Sequence, residues 1–172
     1  LIVISERFQE KLKKHIDLPI ALGMRYGSMS IRKALQELHD QGIEDTLLVP
    51  LYPQYAMSSY ETVVVKTLEE QRRHFPEMKI TTLPAFYNQD DYIKVLGDHI
   101  AKELEDFEYD QLLFSYHGIP ERHIRKSDPT KFHCKIDGSC CSINSVAHHS
   151  CYRHQCYTTT KLVGEHLQLE ED

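Results

Sequence analysis

Long apolar runs are missing from these 172 residues: none approaches the ~18 to 20 residues of a membrane-spanning helix, so no segment reads as one. A basic excess is missing too. The formal net charge is −6, and the pairs Lys13-Lys14 and Arg72-Arg73 read as solvated helix faces, which argues against a nucleic-acid surface. No repeat occurs at solenoid periods and no low-complexity linker interrupts the chain, which argues against arrays and tethered modules. Cysteine is absent outside Cys134 to Cys156, where five are crowded together. An odd, clustered count fits a metal site in a reducing compartment better than a disulfide framework. No methionine opens the chain, and Leu1-Ile-Val-Ile reads as a strand cut short, so the sequence is expected to be a piece of a longer protein with any targeting signal upstream.

What is present is a chain 41% hydrophobic and 27% charged, able to bury a real core in one large or two small domains. Ser5 can cap a helix to about Ile16, with Phe8, Leu12 and Ile16 as its apolar stripe. Ile20-Ala-Leu-Gly-Met24 reads as a strand covered on both faces, with Arg25-Tyr26-Gly27 as its exit. A helix capped by Ser28 or Ser30 follows, turning Ile31, Leu35 and Leu38 inward and ending at Gly42. Thr46 to Leu51 reads as a second buried strand, and Ser58-Ser59 as the cap of a helix carrying Val63, Val64, Thr67 and Leu68. Lys79 to Leu83 is a third strand. Asp90 and Asp91 open a helix with Tyr92, Val95, Leu96, Ile100 and Leu104 on one face. A fourth strand, Gln111 to Tyr116, stops at His117-Gly118. Alternating strands and helices predict an α/β fold, a doubly wound parallel sheet flanked by helices. Periodicity is lost over 118–150, a loop rich in Cys and His, and a helix resumes near Cys151 with Tyr152, Cys156, Thr159, Leu162, Val163 and Leu167 on one face.

The carboxyl ends of such strands are where α/β sheets bind ligands, and three groups fall there. His117 is a candidate base or metal ligand, since imidazole titrates near neutral pH. Tyr52, Tyr55, Met57 and Ser58 follow the second strand and either line the same rim or fill a helix-sheet junction. Arg25 and Tyr26 follow the first strand, where the guanidinium meets either an anionic ligand or a local carboxylate. The fourth group is the cysteine segment, Cys134, Cys140, Cys141, Cys151 and Cys156. Four thiolates close either an iron-sulfur or a zinc site, and Cys151-x4-Cys156 is not a zinc-ribbon spacing. Adjacent Cys140 and Cys141 are expected to diverge, leaving one of them as a ligand. His133, His148, His149 and His154 lie near enough to substitute.

Three stretches share the wording of one family. Leu22-Gly-Met-Arg-Tyr-Gly27, Leu51-Tyr-Pro-Gln-Tyr-Ala-Met-Ser-Ser59 and Ser115-Tyr-His-Gly-Ile-Pro-Glu-Arg122 closely resemble, in the same order, segments of the ferrochelatases. The resemblance covers nearly the whole chain. It implies a chelatase-like fold of two Rossmann-like halves, with 1–107 the latter part of the first half and 108–172 the start of the second. It also implies a lyase that inserts ferrous iron into protoporphyrin, with His117 as proton acceptor or iron ligand, Tyr52, Tyr55, Met57 and Ser58 at the porphyrin and Arg25 with Tyr26 near a propionate. Some bacterial members carry a [2Fe-2S] cluster on an internal cysteine segment after the histidine, and this chain looks like those. Cys156 also resembles a helix start found in members without a cluster.

Ser127-Asp-Pro-Thr130 departs from the family's usual Gly-Asp-Pro-Tyr, and the acidic residue that opposes the histidine would lie beyond Asp172. The 172-residue stretch alone is therefore expected to be inactive. The resemblance implies a cytoplasmic protein and leaves room for peripheral membrane contact. Two rivals stand beside it: a cobalt or nickel tetrapyrrole chelatase of the same superfamily, and a non-catalytic metal- or redox-sensing module built on the Cys/His loop.

Overall fold

The computed structural model describes residues 2–106 and 108–169. These form two compact units, Leu1–Pro50 with Glu61–Leu83 and Leu51–Tyr60 with Pro84–Asp172. The domain boundary expected at Phe107 lies outside the described residues.

The first unit is a small parallel sheet with helices against it. Strands β1 (Asp45–Leu48) and β2 (Lys79–Thr82) pair in parallel, Asp45 opposite Lys79 and Leu48 opposite Thr82. Between them in sequence runs helix α3 (Thr62–His74), the crossover that parallel strands require. Helix α2 (Ile31–His39) starts where the Ser30 hydroxyl accepts from the Lys33 amide at 3.3 Å, and Gly42 supplies the positive φ of 74° beyond its end. Its Ile31, Leu35 and Leu38 recur every turn and meet Phe75 and Met78, and Ala21, Ile43, Val63 and Ile80 pack around them. Gly23 lies so close to α2 that a Cβ there would stand 3.1 Å from the Ile31 Cα. Helix α1 (Ile2–Leu12) buries none of its residues and is held by Gln9, whose Nε2 donates to the Ile20 carbonyl at 2.7 Å.

The second unit is helical. Helices α4 (Asp90–Leu104) and α6 (Tyr152–His166) pack on each other, with the short α5 (Glu121–Ser127) and a 3₁₀ turn (Val146–Ser150) inside the Cys/His loop. Gly97 makes the α4–α6 approach possible: a Cβ at that position would overlap the imidazole of His166, whose Nε2 bonds Asp98 Oδ1 at 2.8 Å.

Several expectations need correcting. Residues Ile20 to Met24 form no strand, only an isolated bridge from Met24 to Ser30. Gln111 to Tyr116 forms none either, and Leu113 is 85% exposed. Both have strand composition, but a ladder needs a neighbour, and among the described residues neither finds one. Ile2 to Ile4 are helical rather than a strand, so Ser5 sits inside α1 and caps nothing, and the stripe of Phe8 and Ile16 is exposed. β1 alternates exposed and half-buried residues instead of being covered on both faces. Ser58 and Ser59 lie within a π-helical turn (Met57–Glu61) that leads into α3. The buried positions of α4 are Ile93 and Gly97, with Val95 68% exposed, because a glycine groove rather than the bulkiest residues sets its inner face. The loop 118–150 is not structureless, since α5 and the 3₁₀ turn occupy part of it.

Candidate functional site

His117 ends an extended, irregular segment whose support is α6. The Tyr116 hydroxyl hydrogen-bonds Thr160 Oγ1 at 3.0 Å, and the next residue leaves its imidazole exposed. Tyr152, at the start of α6, sits beneath: its phenol is pushed up to about 12, first by burial and then by the neighbouring Cys156 thiol, while the His117 backbone N–H works against both by donating to the phenol oxygen.

The segment Leu51 to Tyr60 rests on the same helix. Gln54 Nε2 donates to Thr159 Oγ1 at 3.0 Å, and the Tyr55 amide donates to Gln155 Oε1 at 2.6 Å. Gln155 is wholly buried, and its Nε2 donates to the carbonyls of His148 and His149, each at 3.0 Å. Thr159 Oγ1 donates in turn to the Tyr87 carbonyl at 2.8 Å. Ala56 is buried, Tyr55 and Met57 half-buried, Tyr52 and Ser58 exposed, and the Tyr55 ring leans on Tyr60 with centroids 5.6 Å apart. Thus one helix supports both the His117 segment and the tyrosine segment. Arg25 and Tyr26 belong to the first unit. There Arg25 Nε donates to Thr62 Oγ1 at 3.1 Å, and its guanidinium lies 4.8 Å from the centre of the exposed Tyr26 ring. The local partner of Arg25 is a hydroxyl and a ring rather than a carboxylate.

The Cys/His loop is organised by a buried carboxylate. Asp128 accepts from the Thr130 amide at 2.8 Å, from the Thr130 hydroxyl at 2.7 Å and from the Cys134 amide at 2.8 Å. Burial pushes this carboxyl up, but those hydrogen bonds outweigh it and hold it below the usual carboxylate range. The Thr130 hydroxyl also accepts from the His133 amide at 3.1 Å, so the residue that departs from the family wording is used in full.

Around this turn Cys134, Cys140, Cys141 and Cys151 line one small enclosed cavity of about 10 Å³, together with Ile124, Asp128, His133, Ala147 and His148. All five cysteines are unpaired. Cys140 and Cys141 both reach the cavity. Tight turns run through them, Cys141 N–H to the Gly138 carbonyl at 2.9 Å and Ile143 N–H to the Cys140 carbonyl at 3.2 Å, and consecutive side chains in such a turn do not point to opposite sides as they do in a strand. Cys156 does not line the cavity. It lies five residues further along, more than a turn of α6, and is buried beside Tyr152.

Three of these thiols, Cys134, Cys141 and Cys151, are hard to ionise as they stand. Burial first, then the neighbouring Cys140 and Cys151, pushes Cys141 up to about 11, and burial raises Cys134 and Cys151 as well. A bound cation is what would hold such a group of sulfurs as thiolates. Among the described residues no three His, Cys, Asp or Glu donors converge as a single-ion site. Four sulfurs around one cavity are the donor chemistry that a two-iron cluster, with two thiolates on each iron, would use.

Gln155 and Asp128 were not among the residues the sequence pointed to. Neither leaves a periodic signal, because each is buried by its hydrogen bonds rather than by apolar character.

Comparison with known proteins gives a single answer. The model of the family described as Ferrochelatase matches residues 1–172. Among curated relatives named ferrochelatase, that of Opitutus terrae is 41% identical over 174 residues, covering 100% of this chain and 50% of the relative. Those of Ectopseudomonas mendocina and Stutzerimonas stutzeri are each 40% identical over 174 residues, covering 100% of this chain and 51% of the relative. The chain spans about half the length of the curated relatives it matches.

Proposed function

The chain belongs to the ferrochelatase family, a family of lyase-type metal chelatases, and from that premise we propose that the protein of which it is part inserts ferrous iron into protoporphyrin to form haem. The reading is carried by one arrangement: the exposed imidazole of His117 and the tyrosine segment Tyr52 to Ser58 are both seated on α6. Metal insertion requires the two inner pyrrole protons to leave while iron sheds its water. His117, uncovered at the end of its segment, takes up a proton at the ring face or meets the incoming iron, and Gly118 beside it lets the backbone come close to a flat ligand. Tyr55, Met57 and Ser58, with Tyr52, give the ring an aromatic and polar flank. Arg25, steadied by Thr62 and Tyr26, offers a guanidinium to a propionate.

The second element of the proposal is a [2Fe-2S] cluster held by Cys134, Cys140, Cys141 and Cys151, with Cys156 outside the set. Such a group supplies structure and one-electron chemistry, and iron insertion itself moves no electrons. Five unpaired thiols suit a reducing compartment, and we place the protein in the cytoplasm. No helix among the described residues is long and apolar enough to cross a membrane.

The test uses the longer protein, purified anaerobically. Wild type is expected to insert iron, followed by loss of the free-porphyrin spectrum, and His117→Ala to lose about 100-fold or more in rate. The same preparation should contain two irons and two sulfides per chain. Serine at any of the four cavity cysteines is expected to abolish them and Cys156→Ser to leave them in place. Undiminished insertion by His117→Ala would sink the catalytic reading, and one zinc with no iron the cluster.

A further inference from the structure

Three imidazoles stand in a row beside the thiol cavity. His148 and His154 stack face to face with centroids 3.5 Å apart, and His133 meets His148 edge-on at 5.4 Å. Two of the three are committed to the cysteine turn itself: His148 Nε2 lies 3.4 Å from the Cys140 carbonyl, and His154 Nδ1 lies 2.9 Å from the Cys141 carbonyl. The third is not. His133 Nε2 is buried without any hydrogen-bond partner, and its ring lines the same cavity as the four cysteines.

A buried ring nitrogen without a partner is an unmade hydrogen bond, and native interiors rarely leave one. Backbone hydrogen bonds hold the imidazole where it is: Asp128 fixes the Cys134 amide on one side, and Thr130 Oγ1 accepts the amide of His133 itself. The acceptors that line the cavity are the Asp128 carboxylate, whose two oxygens already accept from Thr130 and Cys134, and the cysteine sulfurs. Four cysteines already supply the four ligand positions of a two-iron cluster, so a fifth group in the cavity has no coordination site to fill. What it can still supply is a proton donor.

We propose that His133 donates its Nε2–H to a sulfur of the bound cluster and thereby raises the cluster's reduction potential. The inference rests on the cluster reading above. An N–H aimed at sulfur withdraws electron density from the iron-sulfur unit and stabilises the reduced form, which carries one more negative charge. The Lys135 amide already makes such a bond, donating to Cys140 Sγ at 3.2 Å. His133 thus acts through the cluster as a tuning residue and is not itself a ligand.

The experiment compares the longer protein in wild-type, His133→Phe and His133→Gln forms, purified anaerobically and titrated with dithionite while the reduced cluster is followed by electron paramagnetic resonance. All three are expected to hold two irons and two sulfides. The midpoint should move to lower potential in His133→Phe and return most of the way in His133→Gln, which keeps an N–H donor. An independent measurement on the wild type guards against a Phe variant that fails to fold. With ¹⁵N-histidine labelling, the reduced cluster should show the weak nitrogen coupling of a hydrogen bond and lack the strong coupling of a ligated imidazole. An unchanged midpoint in His133→Phe, or a strong ligand-type coupling in the wild type, overturns the inference while leaving the cluster intact. Wild-type protein without iron and sulfide would instead remove the cluster reading, and this inference with it.

Discussion

Asp128 illustrates how much one side chain can hold. It is 6% exposed, its two oxygens accept from Thr130 and Cys134, and the turn they fix carries His133 and Cys134 to the thiol cavity. Asp128→Asn loses the charge that makes these bonds strong, and is expected to cost about 1 to 3 kcal/mol at neutral pH. The sign of the pH effect follows from the lowered carboxyl: its contribution is fully present above the unfolded value of about 4 and disappears as pH falls through the folded value. Urea unfolding of both forms at pH 7 and pH 3 checks this; the gap between them should narrow in acid, and a gap that widened would contradict the assignment. The sequence pointed to His117 and to all five cysteines, since rare residue types at a strand-like end and in a cluster are visible without coordinates. It did not single out Asp128, whose role lies in three donors brought round to it by a turn.

At the scale of elements, α6 supports the most. Its Gln155 is wholly buried and ties the Tyr55 amide to the carbonyls of His148 and His149, joining the tyrosine segment to the Cys/His loop. Gln155→Leu would fit the volume but strand three backbone groups. A loss of about 3 kcal/mol is expected, measurable as a drop in melting temperature, together with faster amide exchange at Tyr55. A change of less than ~0.5 kcal/mol would show that these bonds are replaced by water. The sequence disclosed α2 through its period and cap, β2 through its composition, α4 through its acidic first turn, and α6 through the return of periodicity after Cys151. The two missing strands were illegible for a different reason. Ile20 to Met24 and Gln111 to Tyr116 have the right side chains, but pairing is a property of two segments, and a one-dimensional pattern cannot say whether the second is present.

On the scale of the molecule, apolar surface is left uncovered. Ile4, Leu18, Leu113 and Phe132 are all strongly exposed, and α1 buries nothing. Soluble domains rarely present that much apolar surface without covering it by a partner or by more chain. The 172-residue stretch by itself is therefore expected to bind the dye ANS and to self-associate at micromolar concentration, read by fluorescence and light scattering. A dark, monodisperse sample would mean these residues cover one another in solution. The α/β class was legible from alternation, whereas the division into units was not, because Leu51 to Tyr60 leaves its sequence neighbours to join residues beyond Pro84.

The close approach at Gly97 also restricts how the lineage can change. A methyl group at 97 meets the imidazole of 166 where it now stands, so the two positions are not free to drift independently. Substitution at 166 removes the overlap; taken in the other order, the ring has to swing aside and give up its bond to Asp98.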